Sequence, residues 1–135
     1  KDESDSLALM SNISAIIMAL VKDLNWAGFY LVRGDELVLG PFQGLPACTR
    51  LSYNEGVCAK AWREKSPVRV EDVHAFDGHV ACDSASNSEL VIPLIKNGEV
   101  YGVLDLDSPK LSRFSEEDEK NFVEIVEIFK DILKI

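Results

Sequence analysis

Three cysteines and three carboxylates are the residues of this sequence best suited to covalent chemistry. Cys48, Cys58 and Cys82 are an odd number of thiols, which no intrachain framework can pair completely, so reactive or buried thiols are favoured over structural staples. Side chains alternate along a strand, so in residues 99–107 Tyr101, Val103, Asp105 and Asp107 share one face while Val100, Gly102, Leu104 and Leu106 share the other. Folding this run back through Asn97-Gly98 pairs positions whose numbers sum to about 195, which sets Glu89 opposite the neighbourhood of position 106. Glu89, Asp105 and Asp107 can therefore cluster, and like charges held close together keep at least one carboxyl protonated as an acid. An acidic protein also carries solvated carboxylates that do nothing of the kind. A thiolate at Cys82 beside such an acid would make a redox constellation, in which the loop-borne Cys48 could resolve a sulfenic acid. Cys58, on a short apolar segment, fits a small buried hydrophobe more readily than Cys82 does.

Other constellations compete. His79-x-x-Cys82, with His74 and another cysteine, could offer four metal ligands, but the spacing matches no paired-ligand motif, and no metal is expected. Trp26 and Tyr30 share a strand face and either wall a small pocket or fill the core. Residues 40–44 hold neither a Walker lysine nor a GxGxxG spacing, so no phosphate cradle is indicated.

The elements that must position these residues follow from apolar periodicity. Met10, Ile13, Ile17, Leu20 and Leu24 recur every three or four positions and predict a helix over residues 6–24. Residues 26–32 and 36–40 flank Arg33-Gly34-Asp35 as a β-hairpin. Residues 41–54 carry Pro41, Gly44 and Pro46, too many breakers for a regular element, which leaves Cys48 on a loop or short strand. A short helix over 56–64 and a brief strand over 67–71 follow. Residues 72–87 lack any apolar period and read as a long loop, a kind of segment that is often functional. Residues 89–95 and 99–107 form the clearest hairpin. Ser115 caps a final helix with an acidic first turn and a buried stripe of Phe122, Ile125, Phe129 and Ile132.

The 135 residues suffice for one domain. With 23 acidic against 14 basic residues, a formal charge of −9 repels nucleic acid and anionic membrane surfaces. The apolar runs fall well short of the roughly 18 residues that cross a bilayer, so no membrane segment is expected and a cytoplasmic location is favoured. The expected fold is α+β: a central antiparallel sheet of about five or six strands, with the N- and C-terminal helices on one face and a ligand site on the other, under the long loop.

Certain stretches are recognisable. Gly40-Pro-Phe-Gln-Gly-Leu-Pro-Ala-Cys48, Gly56-Val-Cys58, Val70-Glu-Asp-Val-His-Ala-Phe76 and Ala81-Cys-Asp-Ser-Ala-Ser-Asn-Ser-Glu89 resemble the free methionine-(R)-sulfoxide reductases, enzymes built on a GAF domain. The resemblance runs from about Trp26 to Asp107, whereas a generic GAF domain would lack this set of three cysteines. It implies a single GAF domain over residues 1–135 that reduces free methionine-(R)-sulfoxide without a cofactor, with electrons from thioredoxin or a similar dithiol. A homodimer is left open. By the same resemblance Cys82 is the attacking thiol, Cys48 the partner in a recycling disulfide, and Cys58 an alternate resolving or attacking thiol. Glu89, Asp105 and Asp107 are similar to the family's substrate-site carboxylates, and Trp26 and Tyr30 to its pocket aromatics. The other class of function to weigh is a non-catalytic GAF module that binds a small molecule or reports redox state through Cys48 and Cys82.

Overall fold

The computed structural model describes residues 5–80 and 85–133. In chain order the elements are α1 (Ser6–Leu20), β1 (Trp26–Arg33), β2 (Glu36–Gly44), β3 (Arg50–Ser52), α2 (Val57–Glu64), β4 (Val68–Val70), a 3-10 turn (Val73–Ala75), β5 (Ser88–Lys96), β6 (Glu99–Ser108) and α3 (Glu116–Phe129). The six strands form one antiparallel sheet in the order β3-β2-β1-β6-β5-β4. This is the expected α+β architecture, with both terminal helices on one face.

That face holds the larger core. Ala27 and Phe29 of β1, Leu90, Ile92 and Leu94 of β5, and Leu104 and Leu106 of β6 meet Met10 and Ile17 of α1 and Phe122, Val126 and Phe129 of α3. Each of these side chains larger than Ala27 contributes about 1.5–3 kcal/mol on burial. Asp5 caps α1 by accepting from the Ala8 N–H at 3.0 Å. Ser115 and Asp118 form a reciprocal capping box on α3. The helix stripes differ from expectation. In α3 the buried line is Phe122, Val126 and Phe129, continued past the helix end by Leu133, while Ile125 and, beyond the helix, Ile132 are exposed; in α1 Leu20 is exposed and Ser14 is buried instead. Both helices carry apolar residues on two faces, and periodicity alone does not say which face docks.

The opposite face is not open, as the simplest two-layer picture would have it. The helix α2 lies across it, and Val57, Cys58 and Ala61 close a second core with Trp26, Tyr30, Leu37, Val68, Val70, Val73, Val91 and Val103.

Two irregularities set what each face receives. The hairpin β5–β6 turns at Asn97 and Gly98, both at positive φ (54° and 78°), as the turn type requires. Lys96 pairs with Glu99 and Ile95 with Val100, but Leu94 then pairs with Gly102, leaving Tyr101 as an extra residue in β6. From there to Ser88 the register is moved by one, so Glu89 faces Asp107, not position 106. Without the bulge Glu89 would have shared a face with the buried leucines. The same bulge swings Tyr101 away from Asp105 and Asp107; it packs on the helix-side core and donates its hydroxyl to Lys130 O at 3.2 Å.

The second irregularity lies between β1 and β2. Strand β2 does not stop at Gly40; it runs on through Pro41 to Gly44, and β3 follows within the breaker-rich segment. The register shift between Gly28 and Tyr30 places the extra residue beside Pro41, where a missing N–H costs the ladder little. The Pro41 carbonyl accepts a bond from the Ser14 hydroxyl of α1 at 3.3 Å. Among the described residues of the long loop, 72–80 and 85–87, there is a 3-10 turn, which Asp72 caps through the His74 N–H and whose Val73 is fully buried.

Candidate active site

Three strands and one helix converge on a cavity of about 50 Å³. Strand β1 contributes Trp26 and Tyr30, β5 contributes Glu89, β6 contributes Asp105 and Asp107, and the first turn of α2 contributes Cys58. All six are at least nine-tenths buried. Pairings Trp26 with Asp107 and Gly28 with Asp105, together with Glu89 opposite Asp107, bring the carboxylates together in the sheet centre beside the aromatics. Glu55, His79 and Ser86 complete the polar lining. Lys and Arg are absent from that lining among the described residues, so the cavity attracts cationic groups.

Glycine shapes the aromatic wall. A Cβ at Gly28 would run into Phe42, and one at Gly44, whose φ is +137°, would come within 2.6 Å of the Trp26 ring. The bare backbone at both positions lets Trp26 stack between Tyr30 and Phe42, with ring centroids 5.9 and 5.1 Å apart. The polar tips of the two pocket aromatics hold the segment that bears Cys48. The Trp26 indole N–H donates to Leu45 O at 3.2 Å, and the Tyr30 hydroxyl to Cys48 O at 2.8 Å. Cys48 itself is disulfide-bonded. Cys82 lies outside the described residues.

Burial dominates the electrostatics. Asp105 is pushed well above the usual carboxyl range, first by desolvation, then by the charges of Asp107 and Glu89 and by hydrogen bonding with both. These causes favour the neutral carboxylic acid, the form with a proton to give. The Cys58 thiol is also pushed well up, again by burial first and then by Asp105, Glu89 and Asp107. Its Sγ lies 3.9 Å from Glu89 Oε2 and donates to it. A thiol so held is a weak nucleophile, which sets Cys58 apart from a reactive cysteine. Tyr30 is raised by the same desolvation and the same acids.

Comparisons with known proteins agree with this geometry. A GAF domain family model matches residues 10–133. The Escherichia coli (strain K12) free methionine-R-sulfoxide reductase is 48% identical over 131 residues, which are 97% of this chain and 79% of that protein. The free methionine-R-sulfoxide reductase of Neisseria meningitidis, solved in complex with its substrate, superposes with a TM-score of 0.94 at 44% identity, over 97% of this chain and 79% of that one. This chain belongs to the free methionine-R-sulfoxide reductases of the GAF-domain family. The reduced Staphylococcus aureus fRMsr is equally close in shape, with a TM-score of 0.94 at 43% identity over 99% of this chain and 87% of that one.

As a member of the free methionine-R-sulfoxide reductases, the chain is an oxidoreductase, and six of its eight expected site residues, Trp26, Tyr30, Cys58, Glu89, Asp105 and Asp107, line one cavity. Cys48 stands behind them, tied to Tyr30. The histidine set does not assemble as a metal site among the described residues: the His74 ring is hydrogen-bonded to Asn87 Oδ1 at 2.9 Å, and only His79 reaches the cavity. Sequence reasoning missed Glu55, Ser86 and the contact between Cys58 and Glu89. The signal for Glu55 was its place just before Gly56, whose φ of 94° turns the chain into α2 over the sheet. For Ser86 there was no signal short of its bond from the Asn25 amide at 3.0 Å.

Proposed function

We propose that this chain reduces free methionine-(R)-sulfoxide to methionine with its own thiols, and that Asp105 is the acid of the reaction. The observation that carries this reading is a buried carboxyl, Asp105, set against two other acids at the centre of an aromatic-walled cavity beside the Cys48 segment, where burial favours its protonated form. The Cys82 thiolate attacks the sulfoxide sulfur; the sulfur–oxygen bond breaks, Asp105 supplies a proton, and the oxygen passes to Cys82 as a sulfenic acid while methionine leaves. Cys48 condenses with the sulfenic acid, releasing water and closing a disulfide that thioredoxin or a similar dithiol reduces. Cys58 takes no nucleophilic part, for burial and the neighbouring acids disfavour its thiolate.

A carboxylate from Glu89 or Asp107 binds the substrate's ammonium group, a charge that a methionine within a peptide lacks. Trp26 and Tyr30 face the methyl-sulfur end, and the fixed approach of Cys82 selects one epimer of the chiral sulfur. The test is consumption of both epimers of free methionine sulfoxide with dithiothreitol. Turnover of the R epimer alone, abolished in Cys82→Ser and retained in Cys58→Ser, is expected. Turnover that survives Cys82→Ser and fails in Cys58→Ser would overturn the thiol assignment, and none by the wild type would leave a ligand-binding GAF module.

No helix among the described residues is long and apolar enough to cross a membrane, and the reading places the reaction in the cytoplasm, where dithiol donors are reduced. A second copy of the chain is the proposed partner for the outward faces of α1 and α3. Ile125 and Ile128 on α3, Ile132 just after it, and Leu7, Ile16 and Leu20 on α1 are all exposed, Ile128 by 74% and Leu20 by 77%. Sedimentation of a dimer that Ile128→Asp converts to a monomer supports this; a monomeric wild type contradicts it.

A further inference from the structure

We propose that Cys58 Sγ, one carboxylate oxygen of Glu89 and one of Asp105 form a binding site for a thiophilic divalent cation of the zinc type. The three donor atoms come from three elements, α2, β5 and β6, and all lie within 4.8 Å of one another. Cys58 Sγ and Glu89 Oε2 are already 3.9 Å apart. In a tetrahedral zinc site, with bonds of about 2.3 Å to sulfur and about 2.0–2.2 Å to oxygen, ligand atoms are separated by roughly 3.3–3.7 Å, so small side-chain rotations close the triad.

The second observation is independent of the clustering. Asp105 Oδ1 is buried and has no hydrogen-bond partner. Its residue is 5% exposed and lines the cavity. An unengaged carboxylate oxygen in such a place carries a desolvation cost that a bound cation would offset. Burial and mutual repulsion, which hold Cys58 and Asp105 in their neutral forms, are both reversed by a doubly charged ion: on binding, the Cys58 thiol and the Asp105 carboxyl each release a proton to solvent.

The donor set is specific in kind. One thiolate with two carboxylates suits zinc or cadmium better than magnesium or calcium, which want oxygen alone. Three protein ligands leave a fourth position open toward the cavity, as in zinc sites that also bind water or a small molecule. This set uses none of His74, His79 and Cys82, and meets the constellation that the sequence spacing offers only where Cys58 is taken as that constellation's fourth ligand. Since the triad lines the cavity assigned above to the sulfoxide, the ion and the substrate exclude each other; that corollary rests on the proposed function, whereas the binding site itself does not.

Cobalt(II) reports on the site because a thiolate ligand gives it a charge-transfer band in the near ultraviolet. In a variant with Cys48→Ser and Cys82→Ser, Cys58 is the sole thiol. Titration under reducing conditions is expected to raise the band to saturation at a single equivalent, and zinc to displace it. Adding Asp105→Asn should weaken binding by more than the roughly 10-fold that even an outer-shell change costs. Adding Cys58→Ser should remove the band while circular dichroism stays that of the parent. No band with Cys58 as sole thiol, a band that persists after Cys58→Ser, or an affinity indifferent to Asp105→Asn would each overturn the site. Free methionine-(R)-sulfoxide added to the two-serine variant, which cannot turn it over, should weaken the band; a band it leaves unchanged overturns the mutual exclusion but not the site. If the functional reading fails instead, wild-type turnover is absent while the cobalt band remains.

Discussion

Along β6, Leu104 and Leu106 enter the core beneath α1 and α3, while Val103, Asp105 and Asp107 enter the layer beneath α2. Both sets are buried to within a tenth of complete, yet one face of the sheet gains free energy from that burial and the other carries two carboxyls into it. The helix-side face is held by apolar contact, with the Ser14 and Tyr101 hydroxyls adding bonds to Pro41 O and Lys130 O at its margins. The site face combines a smaller core, from Tyr30, Val91, Val103 and Ala61, with acids that would be more stable in water. Strand alternation lets one sheet hold both, so stability and chemistry are assigned to alternate residues of the same strands.

The comparison predicts opposite responses to substitution. Phe29→Ala, on the helix-side face and edge-on to Phe129 at 5.9 Å between ring centroids, should lower unfolding free energy by about 3–5 kcal/mol in a urea titration. Asp105→Asn should instead stabilise the fold at neutral pH. Burial raises the folded Asp105 pKa above its unfolded value, so between the two the folded chain keeps a proton that the unfolded chain has lost. Wild-type stability therefore falls as pH rises through that window, with a slope approaching about 1.4 kcal/mol per pH unit. Asp105→Asn has no proton to lose there and should flatten the profile. A slope that survives the substitution would place the ionisable strain elsewhere.

A smaller effect separates the cavity's walls from its acids. Gly28→Ala forces a methyl group against Phe42 and the Pro41 carbonyl, and should cost about 1–3 kcal/mol of stability by overpacking. Because it displaces the stack around Trp26, it should also raise KM. An unchanged KM would show that Trp26 fills the core and does not touch substrate.

Much of this was legible from local chemistry. Asn97-Gly98 marked the turn, Ser115 and Asp118 the start of α3, and alternation in β6 set Asp105 and Asp107 apart from the leucines. What escaped depends on one extra residue or on one choice of helix face. The bulge at Tyr101 is announced only by the neighbouring Gly102, a weak signal that also serves a close approach to the Tyr30 carbonyl, yet it decides that Glu89 joins the acids. Pro41 looked like a strand end and sits at a bulge within the strand. Ile125 and Ile132 fit a helical period as well as Val126 and Leu133 do, and only the docking of α3 on the sheet distinguishes them. The placement of Cys58 against Glu89 is a contact 31 residues apart in sequence, made when α2 lies down on the second face.

The claim that matters most is that a buried, protonated Asp105 serves the thiol chemistry. It is tested most directly by kcat/KM for free methionine-(R)-sulfoxide as a function of pH, in wild type and Asp105→Asn. The account predicts a wild-type profile that falls on the alkaline side as Asp105 loses its proton, and a loss of about 10²–10⁴-fold in Asp105→Asn together with that alkaline limb. An Asp105→Asn enzyme within about tenfold of wild type, with the alkaline limb intact, would contradict it.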